Sequence, residues 1–397
     1  MVYQEDFAVE RWMDRFETKV TYNAAESCCF SMSIDDVEQL TGTKCPLDKL
    51  KSHRLIYGNI PGSKELREEI ATIYNETAAG APIQLYRDDV LVTNGAIGAN
   101  FLVYYALVGP GDHVIVVDPA YQQLQSVPKM FGADVEHLSL IPEQQYLPDL
   151  DKLRSMVQKG KTKLININNP HNPTGSVIPQ KMMEQIVEIA READAYLLCD
   201  EVYRPLFYND GDSEVNTPMS PVNLYNKAIS TGSTSKAFSL AGLRVGWVVS
   251  PSKVVLQECM KRRDYNTISV SMLDDIVATW ALSHRRLILK RNHALVTTNL
   301  HILIKFEKAS QGAVWFVHPQ GGTTVLLHFN EVRDTEKFSV ELAETYKVLV
   351  SPGEVFGVPG CVRIGLGNST PELQASLAGI RKLLEHRGAK FDETVTY

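Results

Sequence analysis

Residues 89–108, DVLVTNGAIGANFLVYYALV, contain a short apolar run, a glycine and then a longer apolar stretch. The run VLVT has the length and the β-branched content of a buried strand, and Gly95 ends it. The stretch that follows is long enough for a helix that begins at this glycine. A strand that leads directly into a helix is typical of a parallel sheet, so this stretch predicts the fold class.

The same alternation continues to about residue 250. The predicted strands are HVIVVDPAY, ADVEHLSL, KLININNP, AYLLCDEVY, KAISTGSTSK and RVGWVVS, with helices such as QQLQSVPKMFG and PQKMMEQIVEIAREA between them. This pattern predicts an α/β fold with a mostly parallel central sheet flanked by helices. Functional side chains collect beyond the carboxyl ends of such strands. The residues at the predicted ends are Gly95, Tyr121, Asn172, Asp200 and Lys236.

The pattern changes near residue 286. A long helical stretch, RRLILKRNHALVTTNLHILIKFEK, is followed by the strand-like pieces AVWFVHP, TTVLLHF and CVRIGLG and by a last helix, TPELQASLAGIRKLLEHR. We therefore expect a large domain at residues 51–285 and a small α+β domain at residues 286–397. Residues 1–50 are expected to form a segment that packs with the small domain.

The composition excludes several classes of protein. The 397 residues are enough for two domains, and the net charge of −7 gives no basic surface for nucleic acid. No stretch approaches the ~20 apolar residues of a membrane span, and the N-terminus has no apolar signal segment. The six cysteines match neither a zinc pattern nor a disulfide framework. We expect a cytoplasmic protein without a metal, a membrane or a nucleic-acid partner.

One lysine stands out in TGSTSKAFSLAGLRVGW, residues 231–247. A surface lysine normally lies among other charges, whereas Lys236 lies among glycine, serine, threonine and small apolar residues. Two interpretations are open. The side chain extends along apolar surface to water, or the amine is a nucleophile that forms a Schiff base and needs a desolvated site with a lowered pKa.

Groups that bind an anion lie close to this lysine in the sequence. Arg244 follows it by eight residues and Ser233 precedes it by three, and a guanidinium with a hydroxyl can anchor a phosphate. The helix that begins at Gly95 supplies free backbone N–H groups for the same anion. These N–H groups belong to Gly95, Ala96 and Ile97. A glycine at such a junction, taken alone, is more typical of a turn.

Three further residues suggest an aromatic ring between them. Asp200 ends a predicted strand, where it either caps the next element or pairs with a protonated ring nitrogen. Tyr203 can donate a hydrogen bond to a phenolate. Asn172, in NNPHNPTG, is held extended by the proline that follows and can meet the same oxygen, although such a residue is often only part of a turn. Together with the lysine and the anion site, these groups describe pyridoxal 5′-phosphate.

The motifs STSKAFSLAGLRVG, HNPTG and DEVY, in this order and spacing, resemble the fold type I pyridoxal-phosphate enzymes of the class I/II aminotransferase family. The resemblance extends over almost the whole chain. It implies that Tyr121 stacks on the cofactor ring and that Tyr57 reaches the phosphate of a neighbouring subunit, in a homodimer with shared active sites. It also implies that Arg363 holds the substrate α-carboxylate. An arginine within an apolar strand is costly to bury unpaired, which independently favours a ligand role.

The resemblance implies a reaction in which Lys236 removes a proton from Cα while Asp200 keeps the pyridine nitrogen protonated. The segment AAES is similar to a glutamate-bearing segment of 1-aminocyclopropane-1-carboxylate synthases. The stretches ESCCFSMSIDDVEQLTG, DPAYQQL, RRDYNTIS, QGGTTV and VSPGEVFGVPGCVRIGLG are similar to capreomycidine synthases and related arginine cyclases. These similarities favour β- or γ-elimination with replacement or cyclisation, on an arginine-derived or S-adenosylmethionine-like amino acid. An aminotransferase with a 2-oxo acid acceptor is the alternative.

Glu26, in AAES, either contacts substrate or moves a proton, or it is a solvated loop carboxylate. Asp118 and Asp264 either bind a guanidinium of the substrate or form caps and ion pairs. A regulator or an inactive homologue is disfavoured. The residues before Tyr57 lack the basic composition of a DNA-binding domain.

Overall fold

The computed structural model describes residues 4–208 and 217–397. The helices are α1 (Ala8–Phe16), α2 (Ile34–Thr41), α3 (Leu47–Lys51), α4 (Lys64–Glu76), α5 (Gly95–Leu107), α6 (Gln123–Met130), α7 (Leu150–Met156), α8 (Gln180–Glu192), α9 (Lys253–Arg263), α10 (Met272–Ser283), α11 (Arg285–Ala309), α12 (Thr335–Tyr346) and α13 (Thr370–His386). None of these helices is long and apolar enough to cross a bilayer.

The strands form three sheets. They are β1 (Tyr22–Asn23), β2 (Val90–Asn94), β3 (His113–Asp118), β4 (Asp134–Ser139), β5 (Thr162–Asn168), β6 (Tyr196–Asp200), β7 (Ala228–Ser233), β8 (Val245–Val249), β9 (Val314–Trp315), β10 (Thr324–Phe329), β11 (Val348–Leu349), β12 (Ser351–Pro352) and β13 (Cys361–Gly365).

The central sheet has the order β2-β8-β7-β6-β5-β3-β4. β4, β3, β5, β6 and β7 pair in parallel, whereas β8 is antiparallel to both of its neighbours. β2 consequently runs in the same direction as the parallel strands, and the start of α5 lies at the edge where those strands end. The mostly parallel sheet predicted from the sequence is confirmed.

Helices cover both faces of this sheet. Alternate residues of β3 belong to different apolar cores, with Val114 and Val116 in one and Ile115 and Val117 in the other. This is the two-residue period of a strand that is buried on both sides. One core includes residues of α5 and α9, and the other includes residues of α4, α8 and α10. The continuous apolar runs in the sequence follow from this double burial.

The C-terminal part contains an antiparallel sheet of order β12-β13-β10-β9. The strand expected in AVWFVHP is limited to Val314–Trp315, which pairs only with the last two residues of β10. The other two predicted strands lie where the sequence places them, as β10 and β13. The domain boundaries near residues 50 and 285 stay predictions.

The N-terminal segment connects the two parts. Trp12 and Phe16 of α1 pack with Ala343 and Leu349, and the Trp12 indole donates a hydrogen bond to the Val350 carbonyl at 2.8 Å. β1 then pairs with β11. The chain beyond β1 runs alongside β13, where the Gly365 N–H donates to the Ala24 carbonyl at 2.7 Å.

Candidate active site

A cavity of about 450 Å³ lies at the carboxyl ends of the central strands. It brings together eleven of the residues predicted from the sequence: Glu26, Ala96, Ile97, Tyr121, Asn172, Asp200, Tyr203, Ser233, Lys236, Arg244 and Arg363. They come from the N-terminal segment, from the ends of five strands of the central sheet (β2, β3, β5, β6 and β7), from the residue before β8 and from β13. The residues expected at the strand ends therefore meet at one edge of the sheet, and their functional roles stay predictions.

Lys236 lies in the wall of the cavity. Its Nζ donates a hydrogen bond to the Ser27 hydroxyl at 2.7 Å and lies 3.4 Å from the Cys28 sulfur. Burial lowers the pKa of the amine, but Cys28, Tyr203 and Glu26 outweigh it and hold the pKa above its ordinary value. The lowered pKa expected from the sequence is thus wrong for the free amine. The sequence around Lys236 did not reveal the acidic groups that other elements bring to it.

Asp200 is buried at the end of β6. One carboxylate oxygen accepts a hydrogen bond from the Asn100 amide at 2.8 Å, and the other accepts from the Val202 N–H at 3.1 Å. Burial raises the pKa of Asp200 to about 6. The carboxyl therefore caps the following turn and also lines the cavity, while its pairing with a ring nitrogen stays a prediction. A protonated ring nitrogen beside it would restore the ionised form.

Asn100 is a site residue that the sequence analysis missed. It is 1% exposed on the cavity side of α5, and its carbonyl accepts a hydrogen bond from the Thr231 hydroxyl at 2.6 Å. The amide thus holds the Asp200 carboxylate in one orientation. A single asparagine within the apolar helix AIGANFLVYYAL was the available signal, because a buried amide needs partners.

The anion site forms where α5 begins. The side chain of Asn94, the N-cap residue of α5, makes no capping hydrogen bond. The first N–H groups of α5 therefore have no side-chain acceptor from this residue. Gly95 has φ +71°, and a Cβ atom at this position would lie 2.8 Å from a terminal nitrogen of Arg244. The glycine is therefore needed for the guanidinium to approach. Ser233 and Ser235, of which the second was not predicted, also line the cavity.

Tyr203 and Asn172 both line the cavity and come from different loops, after β6 and β5. The Tyr203 side chain is fully buried, and its hydroxyl has no hydrogen-bond partner among the described residues. A buried hydroxyl without a partner is costly, and a ligand oxygen would satisfy it. Asn172 accepts a hydrogen bond from Arg363 at 3.3 Å, so it belongs to the wall and is more than part of a turn.

Arg363 is 4% exposed at the middle of β13. Its terminal nitrogens donate to the Ala25 carbonyl at 2.9 Å, the Ser351 hydroxyl at 3.3 Å and Asn172. Burial lowers the pKa of the guanidinium. Its Nε is buried without a partner, and no carboxylate of the described residues forms an ion pair with it. A buried cation without a counter-ion is suited to bind an anionic ligand.

Glu26 belongs to the wall beside Lys236. One oxygen accepts hydrogen bonds from the N–H groups of Ser27 at 2.7 Å and Cys28 at 2.8 Å. Burial raises its pKa, but Lys236 and these hydrogen bonds prevail, and the pKa is below its ordinary value. The carboxylate is thus fixed and ionised, which differs from a solvated loop residue. The Glu26 backbone can reach the cavity because position 365 is a glycine. A Cβ atom at Gly365 would lie 1.8 Å from the Glu26 carbonyl oxygen.

Tyr121 lines the cavity and contacts the N-terminal segment. Its hydroxyl donates to the Glu10 carboxylate at 3.2 Å, and its ring packs at 5.0 Å from that of Phe7. Burial raises the pKa of its phenol. Stacking of Tyr121 on a cofactor ring stays a prediction. The contribution of α1, through Val9, Glu10 and Met13 and through Glu17 just beyond it, was missed because amphipathic helices usually cover a core.

Other predicted residues lie outside this cavity. Tyr57 is 75% exposed beside the exposed Leu55 and Ile56, so its role toward a neighbouring subunit stays a prediction. Asp118 accepts a hydrogen bond from Gln125 at 2.8 Å, and Asp264 is the C-cap of α9. Neither aspartate lines this cavity, and binding of a substrate guanidinium by either one stays a prediction.

Comparisons with known proteins identify the family of the chain. Residues 42–380 match the family Aminotransferase class I and II, and the chain therefore belongs to that family. It is 34% identical over 296 residues to capreomycidine synthase of Streptomyces vinaceus, over 74% of each chain.

Two solved structures are similar over nearly the whole chain. One is a PLP-dependent aminotransferase from Streptococcus suis, with a TM-score of 0.89, 36% identity and coverage of 98% of this chain and 99% of that chain. The other is the PLP-dependent cyclase OrfR, with a TM-score of 0.86, 27% identity and coverage of 97% and 98%. The protein is thus a pyridoxal 5′-phosphate-dependent enzyme, and the fold class and cofactor predicted from the sequence are confirmed.

Proposed function

We propose that the enzyme removes a proton from Cα of a free α-amino acid and then eliminates a β- or γ-substituent, with replacement or cyclisation of the product. The observation that carries this proposal is the position of Lys236, whose amine lies against the Glu26–Ser27–Cys28 wall within one cavity. This wall supplies a second ionised group close to the base.

Different residues of the cavity would hold the parts of the cofactor and of the substrate. Arg244, Ser233 and the free N–H groups of α5 would hold the phosphate. Asp200 would pair with the pyridine nitrogen, and the Tyr203 hydroxyl would bind the ring oxygen. Arg363 would bind the α-carboxylate through two parallel hydrogen bonds, because its guanidinium is buried without a carboxylate partner.

When bound, the cofactor withdraws electrons from the substrate Cα. The Lys236 amine is then the group that accepts the Cα proton. The Ser27 hydroxyl, at 2.7 Å from Nζ, orients the amine. The Glu26 carboxylate stabilises the ammonium that forms, and this ammonium can then give its proton to a leaving group.

Two features favour elimination over amino transfer. The N-terminal segment brings Glu26, Ser27 and Cys28 next to Lys236, so an ionised carboxylate, a hydroxyl and a thiol surround the base beyond the groups that amino transfer requires. Two of the matching proteins, a capreomycidine synthase and a cyclase, have names that describe a reaction other than amino transfer. Both match over most of the chain. A solved aminotransferase is similar over a comparable part of the chain, so amino transfer stays the second candidate.

The two reactions leave the cofactor in different forms. We expect the loaded enzyme, incubated with arginine derivatives or S-adenosylmethionine, to release product identified by mass while the cofactor returns to its starting absorbance without a 2-oxo acid. Glu26→Gln should slow this product formation at least tenfold with unchanged cofactor loading, whereas the exposed control Asp35→Asn should not. Stoichiometric pyridoxamine phosphate and a 2-oxo acid product would establish the aminotransferase instead.

We also propose that the enzyme is a homodimer whose partner supplies Tyr57 to the phosphate site. The exposed apolar side chains of Leu55, Ile56 and Tyr57 support this proposal, since such patches mark interaction surfaces. A cytoplasmic location stays a prediction.

A further inference from the structure

We infer that Asn292 is a positioning residue for the Lys236 amine. The inference rests on the proposed function, because it concerns the step in which this amine accepts the Cα proton. It gives a role to α11, a fully described helix none of whose residues lines the cavity.

Asn292 is a buried amide in the first half of α11. It is 0% exposed, and its side-chain nitrogen donates hydrogen bonds to the Ala237 carbonyl and to the Ser239 hydroxyl, both at 2.8 Å. A backbone carbonyl can only accept a hydrogen bond, so the amide nitrogen must face it and the orientation of the amide is fixed. Asn292 therefore holds the backbone of the loop directly after Lys236.

The backbone of Ser239 indicates that this loop has to be held in place. Ser239 is fully buried and has a φ of +61°, in the left-handed region that a serine seldom adopts. Such a conformation persists only where the surrounding structure fixes it. The hydrogen bond from Asn292 to the Ser239 hydroxyl and that from the Met32 N–H to the Ser239 carbonyl, at 3.1 Å, provide this constraint.

The same group of contacts fixes the lysine relative to the N-terminal segment. Arg291 donates to the Asn292 amide oxygen at 2.7 Å and to the Phe30 carbonyl at 3.0 Å. The Cys29 N–H donates to the Lys236 carbonyl at 3.3 Å. These hydrogen bonds connect the loop that carries the lysine to the segment that forms the wall beside its amine.

The position of Nζ depends on this loop because the amine lies at the end of a long side chain. A small rotation of the Lys236 backbone moves Nζ by a larger distance. Proton transfer requires Nζ within hydrogen-bond distance of the Cα proton, and a misplacement of about 1 Å can cost about 100-fold in rate. Loss of the Asn292 hydrogen bonds should therefore affect proton transfer more than amino-acid binding, which depends on Arg363.

The first test separates proton transfer from binding. Loaded enzyme is incubated in heavy water with L-arginine, S-adenosylmethionine or L-aspartate, and NMR follows the loss of the Cα proton. The amino acid that exchanges fastest in the wild type is used for all variants, and its dissociation constant comes from the change in cofactor absorbance. Asn292→Ala should lower the exchange rate at saturating amino acid about tenfold or more, while the dissociation constant changes less than about threefold.

Asn299→Ala is the matched control. Asn299 lies on the same helix, is fully buried and donates to two backbone carbonyls, those of Leu366 at 2.9 Å and Asn368 at 2.7 Å. Its loss should lower the melting temperature about as much as the loss of Asn292, because both leave buried carbonyls without a partner. The rate of Cα proton exchange should nevertheless stay within about threefold of the wild-type rate.

A second measurement uses the cofactor-free protein. Amide hydrogen exchange, followed by mass spectrometry, should accelerate at residues 234–240 in Asn292→Ala and stay at the wild-type rate there in Asn299→Ala. The Leu240 N–H, which donates to the Thr234 carbonyl at 3.0 Å, is one of the amides that report on this loop.

Ser239→Gly tests the same contact with little risk to folding. Glycine adopts a φ of +61° without strain, and the change removes one of the two acceptors of the Asn292 amide. This variant should melt within a few degrees of the wild type and still exchange the Cα proton about threefold more slowly or worse. If Asn292→Ala does not fold, a wild-type exchange rate in Ser239→Gly would overturn the positioning role.

The outcomes separate this inference from the proposed function. Equal slowing of Cα exchange in Asn292→Ala and Asn299→Ala, or no slowing in Asn292→Ala, would overturn the positioning role and leave the proposed function standing. A loaded wild-type enzyme that exchanges the Cα proton of none of the three amino acids would overturn the proposed function and the positioning role with it.

Discussion

At the scale of single residues, the cavity depends on charged groups whose ionisation is set by their neighbours. Lys236 and Glu26 stabilise each other's charged forms, and Asp200 is held by the Asn100 amide in a dry environment. Fixing these groups before any ligand binds reduces the reorganisation that the reaction requires. The residue types could be predicted from the sequence, because STSK, DEVY and HNPTG are local motifs. Their effect on one another could not, since it depends on distances between distant segments.

The first prediction concerns the pH dependence of stability in the cofactor-free protein. Burial raises the pKa of Asp200 from 3.8 to about 6, so the folded chain binds this proton more tightly than the unfolded chain. The contribution of Asp200 to stability is therefore greatest below about pH 4 and is lost as the pH rises to about 6. Relative to Asp200→Asn, the free energy of unfolding of the wild type should fall by up to about 3 kcal/mol over this range.

Urea unfolding at pH 4, 5, 6 and 7 measures this difference. Comparison of the two proteins at each pH cancels the contributions of groups that titrate in both. The raised pKa of Asp200 would be contradicted if the difference in the free energy of unfolding between the two proteins stays constant with pH. It would also be contradicted if the wild type becomes more stable relative to Asp200→Asn as the pH rises.

At the scale of elements, the site is built where segments far apart in sequence meet. The strand ends of the central sheet were predictable from apolar runs that stop at Gly95, Asp200 and Ser233. The crossing of residues 24–28 over β13 was not, because it depends on close backbone contact and leaves no periodic pattern. The glycines of RIGLG were the available signal for this contact.

The second prediction tests that crossing. A Cβ atom at Gly365 would lie 1.8 Å from the Glu26 carbonyl oxygen, and the backbone cannot yield without moving the wall that holds Ser27 near Lys236. Gly365→Ala should therefore weaken amino-acid binding at least tenfold and lower the melting temperature by several degrees. The measurements are an absorbance titration with substrate and a thermal melt.

Gly109→Ala is the matched control. Its Cβ atom would meet no heavy atom closer than 3.9 Å, and its backbone conformation suits an alanine. Wild-type binding in Gly365→Ala would show that residues 24–28 do not form part of the substrate site.

The third prediction concerns α1 as an element. Trp12 anchors the helix through its packing on Phe16 and its hydrogen bond to the Val350 carbonyl. Trp12→Ala should lower the free energy of local unfolding of α1 by about 3–5 kcal/mol. Hydrogen exchange at the α1 amides should therefore increase, while that of β5 and β6 is unchanged. Equal acceleration in the central sheet would mean that α1 unfolds only with the whole molecule.

At the scale of the whole molecule, two structural parts meet at one cavity and a third contribution is expected from a second subunit. The sheet class could be predicted because alternation of strands and helices permits few topologies. The subunit arrangement could not be derived from one chain. The exposed position of Tyr57, outside the cavity of its own subunit, is the feature that this arrangement explains.

The fourth prediction tests shared sites by subunit mixing. A Lys236→Ala subunit lacks the base but still has Tyr57. A Tyr57→Ala subunit lacks the tyrosine but still has the base. Each variant alone should have little activity, whereas a mixed dimer has one complete site and should recover up to about half of the wild-type activity per dimer. Mixtures with only the sum of the two separate activities would show that sites are not shared.

The central claim is that the Lys236 amine is bonded to the cofactor aldehyde carbon in the resting enzyme. Borohydride reduction of the yellow enzyme, followed by digestion and peptide mass mapping, measures this most directly. We expect a phosphopyridoxyl group on Lys236 and no yellow absorbance in Lys236→Ala. A phosphopyridoxyl group on another lysine, or none in fully loaded enzyme, would contradict it.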